Sequence, residues 1–370
     1  MKRLLILLAL ARGLVFSGLL YAEPPHVGNS HKTLNPPPRI IRKCCPFGTD
    51  VRLAGIPWSR FSEITSIEKI GPHRYLGQKE ENNGIIYTLR GGFIDLGHLR
   101  DQADWTAFLY GSLLEYRGCE KEIFLGHEGG SKYLKVSLPE EMPEKDVLLL
   151  AQRIAYDLSI WHEIATWFGA SLIPFLPERY SSFSVEDNYS NLLGVYLGGM
   201  ALSEGGLFEK NMDRLIMTYI QHLEPVDCEE DTRKAMESVL NIWWTNEKPL
   251  PSGKILIKRQ MEAYPAVHPW LVPNQDSLFC SENHAPVVLN VPTADHSGNP
   301  LSGYYQLEFD TNGKIPVKEI KTAGEMRSLT QLDFPVVIDY IREKEETAHA
   351  VPTAGISAAM KGYLWEKFRR

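Results

Sequence analysis

Gly169, Pro174 and Pro177 interrupt a long apolar stretch of this chain. Before them, Lys145 to Phe168 repeats apolar residues at helical spacing. After them the same spacing resumes from about Val185 to Leu202. A proline within a helix removes an N–H donor and clashes with the carbonyl one turn earlier. The stretch therefore predicts two helices with a break between them.

The strongest chemical signal lies on these two helices, between Asp157 and Asn191. The first carries His162-Glu163. In the H-E-x-x-H pattern two histidines one turn apart bind zinc, and the intervening glutamate polarises the attacking water. Here Thr166 occupies the second position, and a hydroxyl is a poor zinc ligand. The second helix opens with Glu186-Asp187 and carries Asn191 one turn later. A capping box of Ser184 with Asp187 accounts for those two residues alone. It does not require two acids, Asn191 and the His-Glu pair together.

A further trio, Asp95, His98 and Asp101, shares one helix face at three-residue spacing. His98 can supply the ligand that Thr166 cannot, with Asp95 or Asp101 orienting it or joining the metal. The structural alternative has Asp95 as a helix N-cap and Asp101 paired with Arg100 or Arg90. The catalytic expectation is a zinc ion on His98, His162 and Asp187, with Glu163 as base. Asp95, Asp101, Thr166, Glu186 and Asn191 are supporting or alternative ligands.

The rest of the chain reads as α+β. A strand, Ile85 to Leu89, is entered through Asn82-Asn83-Gly84. A helix starts at Asp95 and closes at Gly118, and a hairpin spans Glu120 to Val136 with a Gly129-Gly130 turn. Further helices are expected at Asn211–Leu223, Asp231–Asn246 and Val336–Glu346, with a helical tail from Met360. Strands are expected at Lys254–Lys258 and Val287–Val291, and a hairpin pairs Tyr304–Phe309 with Ile315–Ile320. The expected division is a mainly helical catalytic region over residues 44–249 and a mixed β/α region over 250–370.

Lys2-Arg3 precede the runs LLILLALA and GLVFSGLL, which end at Tyr21-Ala22 before Glu23-Pro24-Pro25. A charged start, an apolar run and a small residue predict a secretory signal over residues 1–22. Arg12 disfavours a retained anchor, because a central arginine costs a membrane helix ~2.5–3.5 kcal/mol. Residues 23–43, with Pro36-Pro37-Pro38, are a Pro-rich tether. No later stretch is apolar enough to span a membrane. Export permits a disulfide among Cys44, Cys45, Cys119, Cys228 and Cys280, although an odd count leaves one over. The net charge of −7 gives no reason to expect nucleic acid. Phosphate loops, a Rossmann fingerprint and a G-x-S-x-G elbow are absent. Trp105, Trp161, Trp167, Trp243 and Trp244 could line a sugar groove.

The pair His162-Glu163 with Asp187-x-x-x-Asn191-Leu192-Leu193-Gly194 resembles the helix pair of the gluzincin metallopeptidases. Thr166 replaces their second histidine, and Asp187 their third-ligand glutamate. A wider set comprises Cys44 to Gly48, YTLRGGFIDLGHLRDQADWT from Tyr87, WHEIATWFG from Trp161 and SSFSVEDNYSNLLG from Ser181. Together they resemble the exported bacterial family called domain of unknown function 4056, except that Leu89 stands where a cysteine is expected. That resemblance implies an exported envelope protein. The expectation is a metal-dependent envelope hydrolase cutting an amide or ester bond in a substrate the sequence does not name. A non-catalytic envelope binding or scaffold protein with a degenerate zincin-like core is the first alternative, and a carboxylate-based glycoside hydrolase the second.

Overall fold

A computed structural model describes residues 36–38, 41–42, 46–53, 56–171, 178–249, 255–280, 285–321 and 328–350. The expected signal, most of the tether, Cys44, Cys45 and the tail from Met360 lie outside these residues. The fold is α+β.

Three apolar helices form its centre. α1 (Leu96–Glu115) begins on Asp95, whose side chain accepts from the Gly97 and His98 amides as an N-cap does. α2 (Glu144–Trp167) and α3 (Asp187–Ser203) stand on either side of the Gly/Pro break. α3 packs against α1, α2 and α4 (Phe208–His222), which explains why nearly all of it is buried. Gly194 lets α3 approach α1 closely: a Cβ there would stand 1.9 Å from the Leu99 carbonyl oxygen. Gly198 continues the contact: a Cβ there would stand 2.8 Å from Ala103 Cα. This crossing sets the first turn of α1 beside the first turn of α3.

Two small hairpins, β1–β2 (Val51–Leu53, Ile56–Phe61) and β3–β4 (Ile85–Thr88, Gly92–Asp95), precede α1. The β3–β4 hairpin packs with α5 (Glu229–Ser238) around Phe47, Tyr87, Phe93, Trp243 and Trp244. The main sheet is antiparallel, in the order β10 (Ser328–Thr330), β9 (Tyr305–Thr311), β6 (Gly130–Ser137), β5 (Glu120–His127). It takes strands from both sides of Pro249, with Gly130 opposite Thr311 and Val136 opposite Tyr305. α2 lies on this sheet: the Trp161 ring stacks on Phe309 at 3.9 Å. A last helix, Phe334–Ala350, buries Phe334, Val337, Ile338 and Ile341 in the same core.

The helix expected to reach Asn246 ends at Ser238. Val239 leaves helical geometry as the C-cap, and Asn241, two residues on, takes a left-handed backbone, φ +60°. Trp244 then bridges to Leu256, and its indole N–H donates to the Met236 carbonyl. The strand expected at Lys254–Lys258 reduces, among the described residues, to that one bridge at Leu256. The strand expected at Val287–Val291 reduces to β8 (Leu289–Asn290), paired with β7 (Ala266–Val267). Ile315–Ile320 forms no hairpin with β9. Both edges of β9 are already occupied by β6 and β10, and Pro316, which has no N–H to offer a ladder, precedes a short helix at Val317–Ile320. Cys119, Cys228 and Cys280 are exposed free thiols, so the described residues contain no disulfide. No helix among them is long and apolar enough to cross a membrane.

Candidate metal centre

His98 comes from the first turn of α1, and His162 and Glu163 from the last two turns of α2. Their rings lie 6.4 Å apart between centroids. One donor atom each of His98, His162 and Glu163 falls within 4.8 Å of the other two. The helical spacing that made His98 a substitute for Thr166 thus corresponds to real proximity. Thr166 turns back on its own helix, its hydroxyl donating to the carbonyls of His162 and Glu163.

Glu128 holds Nδ1 of the His162 ring, and two carboxylates lie near Nδ1 of His98. His162 Nδ1 lies 2.6 Å from Glu128 Oε1, and His98 Nδ1 lies 3.1 Å from Asp95 Oδ2 and 3.5 Å from Asp187 Oδ1. An imidazole fixed through one nitrogen by a carboxylate is oriented to coordinate a metal through the other. Glu128 itself is steadied by Lys132 Nζ, 2.9 Å from Oε2, and its carbonyl accepts from the Trp161 indole. Glu163 Oε2 accepts from the Phe183 amide at 2.6 Å. Its Oε1 is buried with no hydrogen-bond partner among the described residues. An orphaned buried carboxylate oxygen beside two imidazoles is a good fit to a divalent cation, and the N, N, O donor set suits zinc.

The expected roles of Glu163 and Asp187 meet a different grouping here. Glu163 clusters with the histidines, whereas Asp187 stands beside His98 Nδ1. Half of the capping box exists: the Ser184 amide donates to Asp187 Oδ2, but the Ser184 hydroxyl donates to Glu186 Oε2. Glu186 Oε1 and both amide atoms of Asn191 are buried without a hydrogen-bond partner among the described residues. Burial, the Glu163 charge and the Asp95 charge push the Asp187 carboxyl up to about 8, against the pull of His98 and His162. Burial and the charges of Asp187 and Asp95 likewise push Glu186 well up.

Asp101 turns elsewhere. It pairs with Arg42 at 2.9 Å, not with Arg100 or Arg90, in a buried network that includes Glu81 and Asp104. The tryptophans considered for a sugar groove are at most 5% exposed and belong to the cores.

Glu128 and the Phe183 amide did not figure in the sequence reading. Glu128 is followed by the Gly129-Gly130 turn, a local signal for the hairpin but not for its contact with α2. The Glu128–His162 contact is purely tertiary.

No curated protein and no solved structure matches this chain. One family pattern does, over residues 32–273, a span that holds His98, Glu128, His162, Glu163 and Asp187. That span exceeds half of the chain, and the chain belongs to the family described as protein of unknown function (DUF4056).

Proposed function

We propose that this chain is an exported, metal-dependent hydrolase of the cell envelope, cutting an amide or ester bond, with zinc held by His98, His162 and Glu163. The observation that carries the reading is the convergence of those three donors within 4.8 Å, with a carboxylate behind each ring. Two imidazoles and one carboxylate form a ligand set of catalytic zinc sites, in which a fourth position stays open. When bound, zinc supplies a water nucleophile at neutral pH and polarises a carbonyl. The chain's own groups set the geometry. Glu128 fixes the His162 ring, Asp95 lies beside Nδ1 of His98, and the Phe183 amide fixes Glu163. The His98 and His162 side chains, 11% and 19% exposed, form the accessible side from which a substrate would approach. Export rests on the charged and apolar start of the sequence.

Elemental analysis of the purified protein tests the reading, with about one zinc per chain expected. His162→Ala should reduce zinc to background with unchanged circular dichroism. Glu163→Gln separates its two possible roles. A ligand role loses the metal, whereas a base role keeps the metal and loses hydrolysis. A folded wild-type chain that takes up no zinc on dialysis would defeat the proposal.

A further inference from the structure

The C-terminal helix, Phe334–Ala350, lies beyond the family-matched span, yet one of its side chains reaches groups that border the centre. Glu345 Oε1 accepts from Trp167 Nε1 at 2.7 Å and from Arg179 Nη2 at 3.2 Å. Its Oε2 lies 3.5 Å from Arg259 Nε. The Arg179 guanidinium also rests 3.9 Å from the Trp167 ring centre. Arg259 is buried and donates to the Ser182 carbonyl. The next residue is Phe183, whose amide donates to Glu163 Oε2 at 2.6 Å and whose carbonyl accepts from the Gln260 amide at 2.9 Å. Phe183 is fully buried and has φ +54°. A bulky residue in that region of backbone space stays there only when its surroundings hold it.

We propose that Glu345 is a positioning residue of the metal centre: through Arg179 and Arg259 it holds residues 178–183 so that the Phe183 amide fixes the Glu163 carboxylate. This inference rests on the metal-binding reading above. The helix does not need Glu345 to dock, because Phe334, Val337, Ile338 and Ile341 already bury it. A single carboxylate that gathers an indole N–H and two guanidinium groups aligns three elements: the end of α2, the strap after the break, and the segment around Arg259. Glu163 sits one turn before Trp167 on α2, so the same carboxylate grips Glu163's helix and the strap that donates to Glu163.

The experiment uses the full chain with cobalt(II) as probe, because its absorption bands report ligand geometry. Glu345→Ala should weaken cobalt binding about 10–100-fold, as loss of outer partners of a metal site does. It should also speed hydrogen exchange at the Phe183 amide. Glu345→Gln, which keeps an acceptor for Trp167 and Arg179, should fall between Glu345→Ala and wild type. Ile341→Val is the control for a merely structural role: it thins the core under the same helix and should leave cobalt affinity unchanged. Equal cobalt affinity in wild type and Glu345→Ala overturns the proposal. A wild-type chain that binds no cobalt overturns the metal reading instead. Phe183 exchange then still decides the role of Glu345, since an unchanged rate in Glu345→Ala refutes it and a faster rate sustains it.

Discussion

Glu128 Oε1 lies 2.6 Å from His162 Nδ1, joining the tip of a hairpin to the middle of the site. The same carboxylate takes the charge of buried Lys132. Glu128→Gln should therefore lower zinc affinity about 10–100-fold, measurable by competition with a chromogenic chelator. Glu128→Ala should in addition cost about 3–5 kcal/mol, because it strands a buried ammonium. Urea unfolding of the metal-free forms reads that second effect separately. Unchanged zinc affinity in Glu128→Gln would show that the carboxylate serves the fold alone.

The crossing of α1 and α3 makes a second prediction. Gly194→Ala places a methyl group where the Leu99 carbonyl oxygen stands, against backbone that cannot swing aside. The expected loss is about 1–3 kcal/mol, the usual range for overpacking. Gly111→Ala, on the same α1 helix with nothing within 4 Å of the new methyl, is the comparison. It should be neutral or gain up to about 1 kcal/mol from helix propensity. Chemical denaturation midpoints of the two variants should move in different directions or by clearly different amounts.

Acid should attack the network behind Arg42. Burial raises the Glu81 carboxyl, but two hydrogen bonds and the charge of Arg42, with Arg100 and His73, reverse this and hold it down to about 2. A carboxyl with a depressed folded pKa contributes stability that is complete above its unfolded pKa. That contribution fades as pH falls through the folded value. The window is therefore from about 4.5 down to about 2, and the contribution is on the order of 3 kcal/mol. Stability measured by urea unfolding should fall steeply over that window in wild type, and less steeply in Glu81→Gln.

Local signals in the sequence were enough for the three central helices and for one hairpin. Apolar periodicity located α1, α2 and α3 to within a few residues, and Gly129-Gly130 marked the β5–β6 turn. Regular spacing also put His98 and His162 on the same list of ligands, because a helix fixes which side its residues face. Failures came where distant chain decides. The segment after Ser238 bridges Trp244 to Leu256 in place of continuing its helix, and β9 finds β6 and β10 in place of a neighbour in sequence. Asp101 meets Arg42, and His162 meets Glu128, through contacts that no short window contains. The grouping of Glu163 with the histidines, and of Asp187 with His98 Nδ1, depends on the side-chain directions at a helix crossing that spacing alone does not fix.

The pairing of β6 with β9 has a consequence for the order in which the protein assembles. The turn that carries Glu128 is braced from far along the chain: Gly130 sits opposite Thr311, and the Asn312 amide donates to the Gly129 carbonyl. Closing so long a loop is slow compared with forming helices, because its entropy must be met before the strand contacts reward it. A nascent chain can therefore coil α1, α2 and α3 while the Glu128 turn still lacks its support. The bracing of that turn, and with it the full support of His162's partner, would then follow only once residues near 311 have been made. On the proposed reading, metal capture would come late in folding, and a fragment stopped at residue 273 would keep the histidines but lack the strand that braces the Glu128 turn.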